Sequence, residues 1–294
     1  MTTRRPVGSH IVIDGMIYSV VDLIVKDKQK NMSIFKVNDS TGAISVVKEL
    51  KTGLRPLDDV DAENEFRRQL QISQMSPHVV KAYDRSIEED PAKKKKKPRY
   101  LMRMEYAPRQ CLRRYMEKKR PDGTIFVEPL PYRRAWIFYG QILCGLGKIH
   151  RLNVYHKDIA LRNIFVFSDH TCKIGDFGVA WPATQEESRR DLTELNANER
   201  ADLQDALDVL SYMLLGRSHK ENRVEYNDFI RVETHGNYER FVRRYPDWAK
   251  NMPESFFWYI RSQSMPMDRS GRRPTRKVRA PFHYLVHKTF PYAE

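Results

Sequence analysis

The sequence predicts an α+β fold in which a strand-rich first third, broken by one helix, precedes a helix-rich remainder. Three observations predict it. Short β-branched and aromatic runs recur between Ile11 and Tyr106, the hydrophobic period lengthens to a helical one after Tyr106, and no internal repeat is visible. At 294 residues the chain can bury a substantial core as one large domain or two lobes.

The strand runs come first. "IYSVVDLIV", "SIFKV", "AISVVKEL", "VVKAYDRSI" and "RYLMRMEY" are each bounded by turn residues, and "NDSTGA" from Asn38 to Ala43 reads as a hairpin connection. The insert "DVDAENEFRRQLQISQM" begins with acidic residues suited to a helix N-terminus and sets Phe66 and Leu70 on one side at helical spacing. After Tyr106, "YRRAWIFYGQILCGLGKIHRL" and "ERADLQDALDVLSYMLLG" carry apolar residues at helical intervals. Little later in the chain alternates like a strand.

Composition narrows the classes. No apolar run approaches the roughly 18 residues that a membrane helix needs, so no membrane span is expected. The opening "MTTRRPVGSH" is followed by a segment holding two aspartates and lacks the apolar core of a secretion signal, so an intracellular protein, cytoplasmic or nuclear, is expected. Cys111, Cys144 and Cys172 are odd in number and not spaced as metal pairs, which agrees with a reducing compartment. The formal net charge of +14 favours acidic partners. The densest run, "PAKKKKKPR" with Lys93 to Lys97, is either a solvated loop tip or a nuclear-import or acidic-partner patch; without interleaved aromatics it is a poor nucleic-acid platform.

The chemistry concentrates in "VYHKDIALRNIF" and in "KIGDFG". Five polar or ionisable side chains crowd the first stretch, and a packed interior tolerates them only when paired or used. Asp158 and Asn163 lie five apart, and Asp176 follows Asp158 by eighteen. "HKDIALRN" resembles the protein-kinase catalytic loop H-R-D-L-x-x-x-N, and "DFG" resembles the metal-binding motif of the same family. The resemblance continues through "SVVKEL", "RYLMRMEYAPRQCL", "DLQDALDVLSYMLLG" and "DRSGRRPTRKVRAPF", from about Tyr18 to about Phe282.

A bilobal protein-kinase-like fold is implied, with a β-rich lobe over 11–106 and a helical lobe over 107–294. So is transfer of the ATP γ-phosphate to a protein hydroxyl, with ATP and Mg2+ as cofactors and a protein as substrate. Under this resemblance Asp158 orients the acceptor hydroxyl and takes its proton, while Asn163 and Asp176 offer hard oxygen ligands to magnesium. Lys48 holds the α- and β-phosphates, and Glu63, sharing a helical face with Phe66 and Leu70, is its expected ion-pair partner. Val46 and Phe165 belong to the expected nucleotide-binding set. Met104 falls at the gatekeeper position, backbone groups of Glu105 and Ala107 meet the adenine edge, and Cys111 lies at the lip. Asp202 is expected to brace the catalytic loop, and His156 to pack within the core.

Many serine/threonine kinases place a lysine two residues after the catalytic aspartate; many tyrosine kinases place an arginine four after it. Here Ala160 and Arg162 occupy those positions, which is tyrosine-kinase-like. Three departures stand against the pattern. Between Gly15 and Gly42 there is no glycine, so the phosphate-covering loop offers Lys26, Lys28 and Lys30 in place of a backbone cradle. Asp176 to Asp202 spans 26 residues without an "A-P-E", so Arg273 lacks its obvious glutamate, with Glu186, Glu187 or Glu194 as substitutes. Lys157 replaces an arginine, giving a phosphate on Thr184, Ser188 or Thr193 a monodentate partner. These departures keep a second expectation open, a pseudokinase that binds or scaffolds.

Overall fold

The computed structural model describes residues 5–27, 31–51, 58–88, 98–182 and 197–216. Lys28, Lys30, the run from Lys93 to Lys97, Thr184, Glu186, Glu187, Ser188, Thr193, Glu194, Arg273 and the C-terminal motif lie outside them. The described residues form the α+β arrangement expected, a β lobe followed by a helical one.

Six antiparallel strands build the first lobe: β1 (His10–Ile13), β2 (Met16–Asp27), β3 (Met32–Asn38), β4 (Ile44–Lys51), β5 (Ala82–Glu88) and β6 (Arg99–Glu105), in the spatial order β1-β2-β3-β4-β6-β5. The sheet curls until β1 contacts β5. Strand alternation then gives it two apolar sides. Val47, Phe35, Val37 and Leu101 join Ile11, Ile13, Tyr18 and Val20 in one buried cluster. The opposite side turns Val46, Lys48, Met102 and Met104 toward helix α1 (Asp58–Met75), where Phe66, Val80 and Ala82 complete a second cluster.

β1 was not among the expected strands. Its signal was the Asp14–Gly15 pair, whose positive φ values of 50° and 75° form the tight turn into β2. The β3–β4 hairpin does follow expectation. Asp39 accepts the Thr41 N–H at 2.8 Å and the Ala43 N–H at 3.0 Å, and Gly42 takes a left-handed φ of 84°. A charged staple closes the other end of the sheet: Arg5 reaches the buried Glu49 at 2.7 Å and also pairs with Glu88.

The second lobe is centred on α3 (Tyr132–Arg151) and α4 (Ala197–Leu215). Phe138, Ile142, Leu146 and Ile149 of α3 and Ala206, Leu210, Met213 and Leu214 of α4 share one core. This lobe is mainly helical as expected, and short strands that were not anticipated punctuate it. A five-residue helix, α2 (Leu112–Met116), leads into a ribbon of β7 (Glu117–Lys119) and β8 (Ile125–Val127). β9 (Val154–Tyr155) pairs with β12 (Trp181–Pro182), and β10 (Ile164–Ser168) pairs with β11 (Thr171–Ile174). Strands of two to five residues are too short to register as period-two alternation.

Candidate active site

The loop between β9 and β10 is shaped by what lies beneath it. His156 is fully buried, stacks edge-on against Phe177 with ring centroids 4.9 Å apart, and sets Nε2 at 3.2 Å from the Gly175 carbonyl. Burial lowers its pKa below the ordinary imidazole value, so the ring is neutral. Asp202 of α4 lies under the same loop. Its carboxylate accepts the backbone N–H groups of His156 at 2.9 Å and Lys157 at 2.7 Å, and pairs with His150 Nε2 at 2.8 Å. Burial alone would raise the Asp202 pKa, but the bonds from His150, His156 and Lys157 outweigh it and hold the carboxyl below its usual value. Lys157 has a positive φ of 63°, the turn that brings two consecutive N–H groups onto one carboxylate.

Above this brace stand Asp158 and Asn163. Asn163 Nδ2 donates to the Asp158 carbonyl and to Asp158 Oδ2, both at 2.8 Å, while Arg162 pairs with Asp158 Oδ1. A single 3-10 turn, Leu161–Asn163, brings the amide back over the aspartate. With its nitrogen spent on Asp158, Asn163 has its oxygen left for a cation.

Asp176 follows β11 with a φ of 66°, and its Oδ1 lies 3.1 Å from Lys48 Nζ. Lys48 also reaches Glu65 Oε1 at 2.5 Å. Burial alone would lower the Lys48 pKa, but the two carboxylates outweigh it and raise the pKa above the ordinary lysine value, so the ammonium stays charged. The donor set of Asn163 and Asp176, one amide and one carboxylate, suits a hard divalent cation that keeps part of its water shell.

The ion pair corrects one expectation. Glu65, not Glu63, is the partner of Lys48; Glu63 instead bonds Arg67 at 2.6 Å and Arg85 at 3.0 Å. Among the described side chains of α1 the buried ones are Ala62, Glu65, Phe66, Gln69 and Ile72, two of which are polar. Apolar periodicity based on Phe66 and Leu70 rotates the assigned face, because it treats Glu65 and Gln69 as exposed. Gln69 Nε2 is spent inside, on the Val80 carbonyl at 3.1 Å.

Around the cleft, Val46 lies opposite Met104 across β4 and β6, and both pack with Phe165. The Glu105 N–H donates to the Lys81 carbonyl at 2.9 Å, its carboxylate holds Lys173, and the Ala107 carbonyl accepts the Gln110 N–H at 3.1 Å. Cys111 is half-buried and bridges Phe165 in backbone pairing. Lys26 is exposed near the end of β2.

Sequence reasoning also passed over Gly175 and His150. A Cβ on Gly175 would sit 2.9 Å from the Phe165 ring and 3.1 Å from Val80 Cγ2, so glycine is required where β11 delivers Asp176. The histidine in "GLGKIH" was a visible signal, but its aspartate partner lies 52 residues away.

A family profile described as protein tyrosine and serine/threonine kinase matches residues 29–200. The chain is similar to the eukaryotic translation initiation factor 2-alpha kinase gcn-2 of Caenorhabditis elegans, 38% identical over 86 residues, which cover 29% of this chain and 5% of that protein. It is similar to the mouse serine/threonine-protein kinase LMTK3, 32% identical over 147 residues, 49% of this chain and 10% of that one. It also resembles the rat tyrosine-protein kinase JAK3, 29% identical over 146 residues, 49% of this chain and 12% of that one. The chain thus matches only a small share of these relatives' lengths.

Proposed function

Because the chain belongs to the protein tyrosine and serine/threonine kinase family, we propose that it transfers the γ-phosphate of ATP, with magnesium, to a protein hydroxyl. The observation that carries this reading is the convergence on Lys48: its ammonium touches both Glu65 of α1 and Asp176 of the segment after β11. Three separate elements thereby present one cation and two carboxylates to a common cleft.

In this reading Lys48 orients the α- and β-phosphates, and Glu65 keeps it charged and immobile. Asn163 and Asp176 hold magnesium through oxygen. Magnesium, when bound, neutralises phosphate charge and aligns the transferred group. Asp158 receives the acceptor's proton on its carboxylate, whose orientation is set by the Asn163 amide. Arg162, bonded to the same carboxylate, supplies the tyrosine-kinase-like element of the loop. Val46, Met104 and Phe165 wall the adenine site, with Glu105 and Ala107 as its backbone edge. The β lobe over 11–106 and the helical remainder act as one kinase domain.

A second reading, a kinase-fold binding module with little transfer activity, is favoured by the glycine-free β2–β3 connection. There Lys26 offers a flexible point charge where a fixed amide cradle would grip more tightly. Incubation of the purified chain with radiolabelled ATP, magnesium and a mixed serine, threonine and tyrosine peptide pool separates the two. Label that appears with the wild type and is lost in Asp158→Asn and Lys48→Met supports the enzyme. Label retained in Asp158→Asn contradicts it, and nucleotide binding without label in any sample supports the module.

A further inference from the structure

The helical lobe holds an open cavity of about 700 Å³ to which Lys48, Asp158, Asn163 and Asp176 contribute nothing. It lies among α2, the β7–β8 ribbon, the first turn of α3 and the turn between β10 and β11. Its floor is apolar and fixed. Met116 and Leu130 are almost fully buried beneath it, and the exposed Pro129 and Pro131 present its apolar surface. The Glu128 N–H donates to the Met116 carbonyl at 2.9 Å, and the Leu130 N–H to the Met213 carbonyl of α4 at 2.7 Å. The floor therefore moves only if α2 and α4 move.

The rim is charged and organised. Asp169 accepts Arg109 at 2.9 Å and the Tyr115 hydroxyl at 2.8 Å, with Arg134 3.7 Å away and bonded to the same hydroxyl at 3.0 Å. One carboxylate thus fixes two guanidiniums, and their combined charge exceeds its own. Lys118 adds a third cation, balanced loosely by Glu128 at 3.9 Å. Residues 109–134 hold eight lysines and arginines against three acidic residues, so the ground around the cavity is as basic as its rim. An apolar floor inside a cationic rim selects a ligand with the opposite pattern.

We propose that this cavity docks a short acidic peptide segment of a partner protein, one apolar side chain against Pro129 and Pro131 and its carboxylates on Arg109, Lys118 and Arg134. Docking here is separate from phosphoryl transfer and holds whether or not the cleft is catalytic. Peptides suit the site because it is open along one side and lies on a basic chain that draws acidic segments toward it. A bare polyanion would satisfy the rim but leave the floor empty.

The test is fluorescence anisotropy with the full chain and a fluorescein-labelled peptide that alternates glutamate and leucine. An alternating lysine and leucine peptide and a single-stranded oligonucleotide serve as competitors. Lys118→Glu and Arg134→Gln should each weaken the acidic peptide about tenfold, while Arg67→Glu, an exposed charge reversal on α1, should change Kd by less than about twofold. Thermal midpoints matching the wild type keep the variants comparable, and Lys118, half-exposed, has little folding role to lose. The proposal is overturned if the acidic peptide does not bind, if Arg67→Glu weakens it as much as the cavity variants, or if the oligonucleotide binds the same rim more tightly.

Discussion

At the scale of single residues, the Lys48–Glu65 contact separates the two acidic candidates on α1. Both partners are buried, so removing Glu65 leaves the Lys48 ammonium in a low-dielectric interior with only the more exposed Asp176 to pair it. Glu65→Gln should lose about 1–3 kcal/mol of stability in urea titration, because Asp176 still pairs Lys48, whereas Glu63→Gln, which breaks half-exposed pairs with Arg67 and Arg85, should lose less than about 1 kcal/mol. Equal losses would return the ion pair to Glu63. Several titrating groups drive the acid response in one direction, His156 and Asp202 among them at the candidate site. His156 has a lowered folded pKa, so the unfolded chain binds the proton first and stability falls as pH drops below about 6.5. Asp202 also has a lowered folded pKa; its contribution is full above the unfolded carboxylate value near 3.9 and disappears as pH falls through the folded one. Thermal midpoints should therefore fall in two steps on acidification. The first step should shrink in His156→Phe and vanish only when His78, whose pKa burial also lowers, is replaced as well; a first step unchanged in His156→Phe would reassign it.

At the scale of elements, β1 and the turn before Asp176 show what sequence patterns resolve and what they miss. The five longer strands, α1, α3 and α4 were legible because each carries several periodic apolar residues or a strong turn signal. β1 was not, since four residues offer too few repeats, although Asp14–Gly15 marked its turn. Its weight is nonetheless large: Ile11 and Ile13 are fully buried in the cluster that fills the curled sheet. Ile11→Ala should cost about 2–5 kcal/mol by denaturant unfolding, and a surface-like cost below about 0.5 kcal/mol would place β1 outside the core. Gly175→Ala tests the other element. The added methyl meets the Phe165 ring and Val80, so an overpacking cost of about 1–3 kcal/mol is expected together with a displaced Asp176. Wild-type stability and nucleotide affinity in that variant would show that β11 delivers Asp176 without the close approach.

At the scale of the whole molecule, one chain of contacts joins the lobes. Glu65 and Arg68 leave the same helix; the first meets Lys48 of the sheet, and the second bonds the Ala180 carbonyl just beyond Asp176. Asp202, from α4, fixes the loop that carries Asp158 and Asn163. The sequence motifs singled out Lys48, Asp158, Asn163 and Asp176 as candidates because of their residue types and fixed spacing. The partners that hold them, Glu65, His150 and Gly175, were hidden because their roles depend on which face is buried and on what approaches it. The central claim is that these groups converge on one magnesium-bound nucleotide, and thermal stabilisation by ATP tests it most directly. With magnesium and ATP at about a hundred times its Kd, the wild type should gain roughly 2.7 kcal/mol, a gain reduced by chelation and abolished by Asp176→Asn. Stabilisation that ignores both magnesium and Asp176, or none at any ATP concentration, would contradict it.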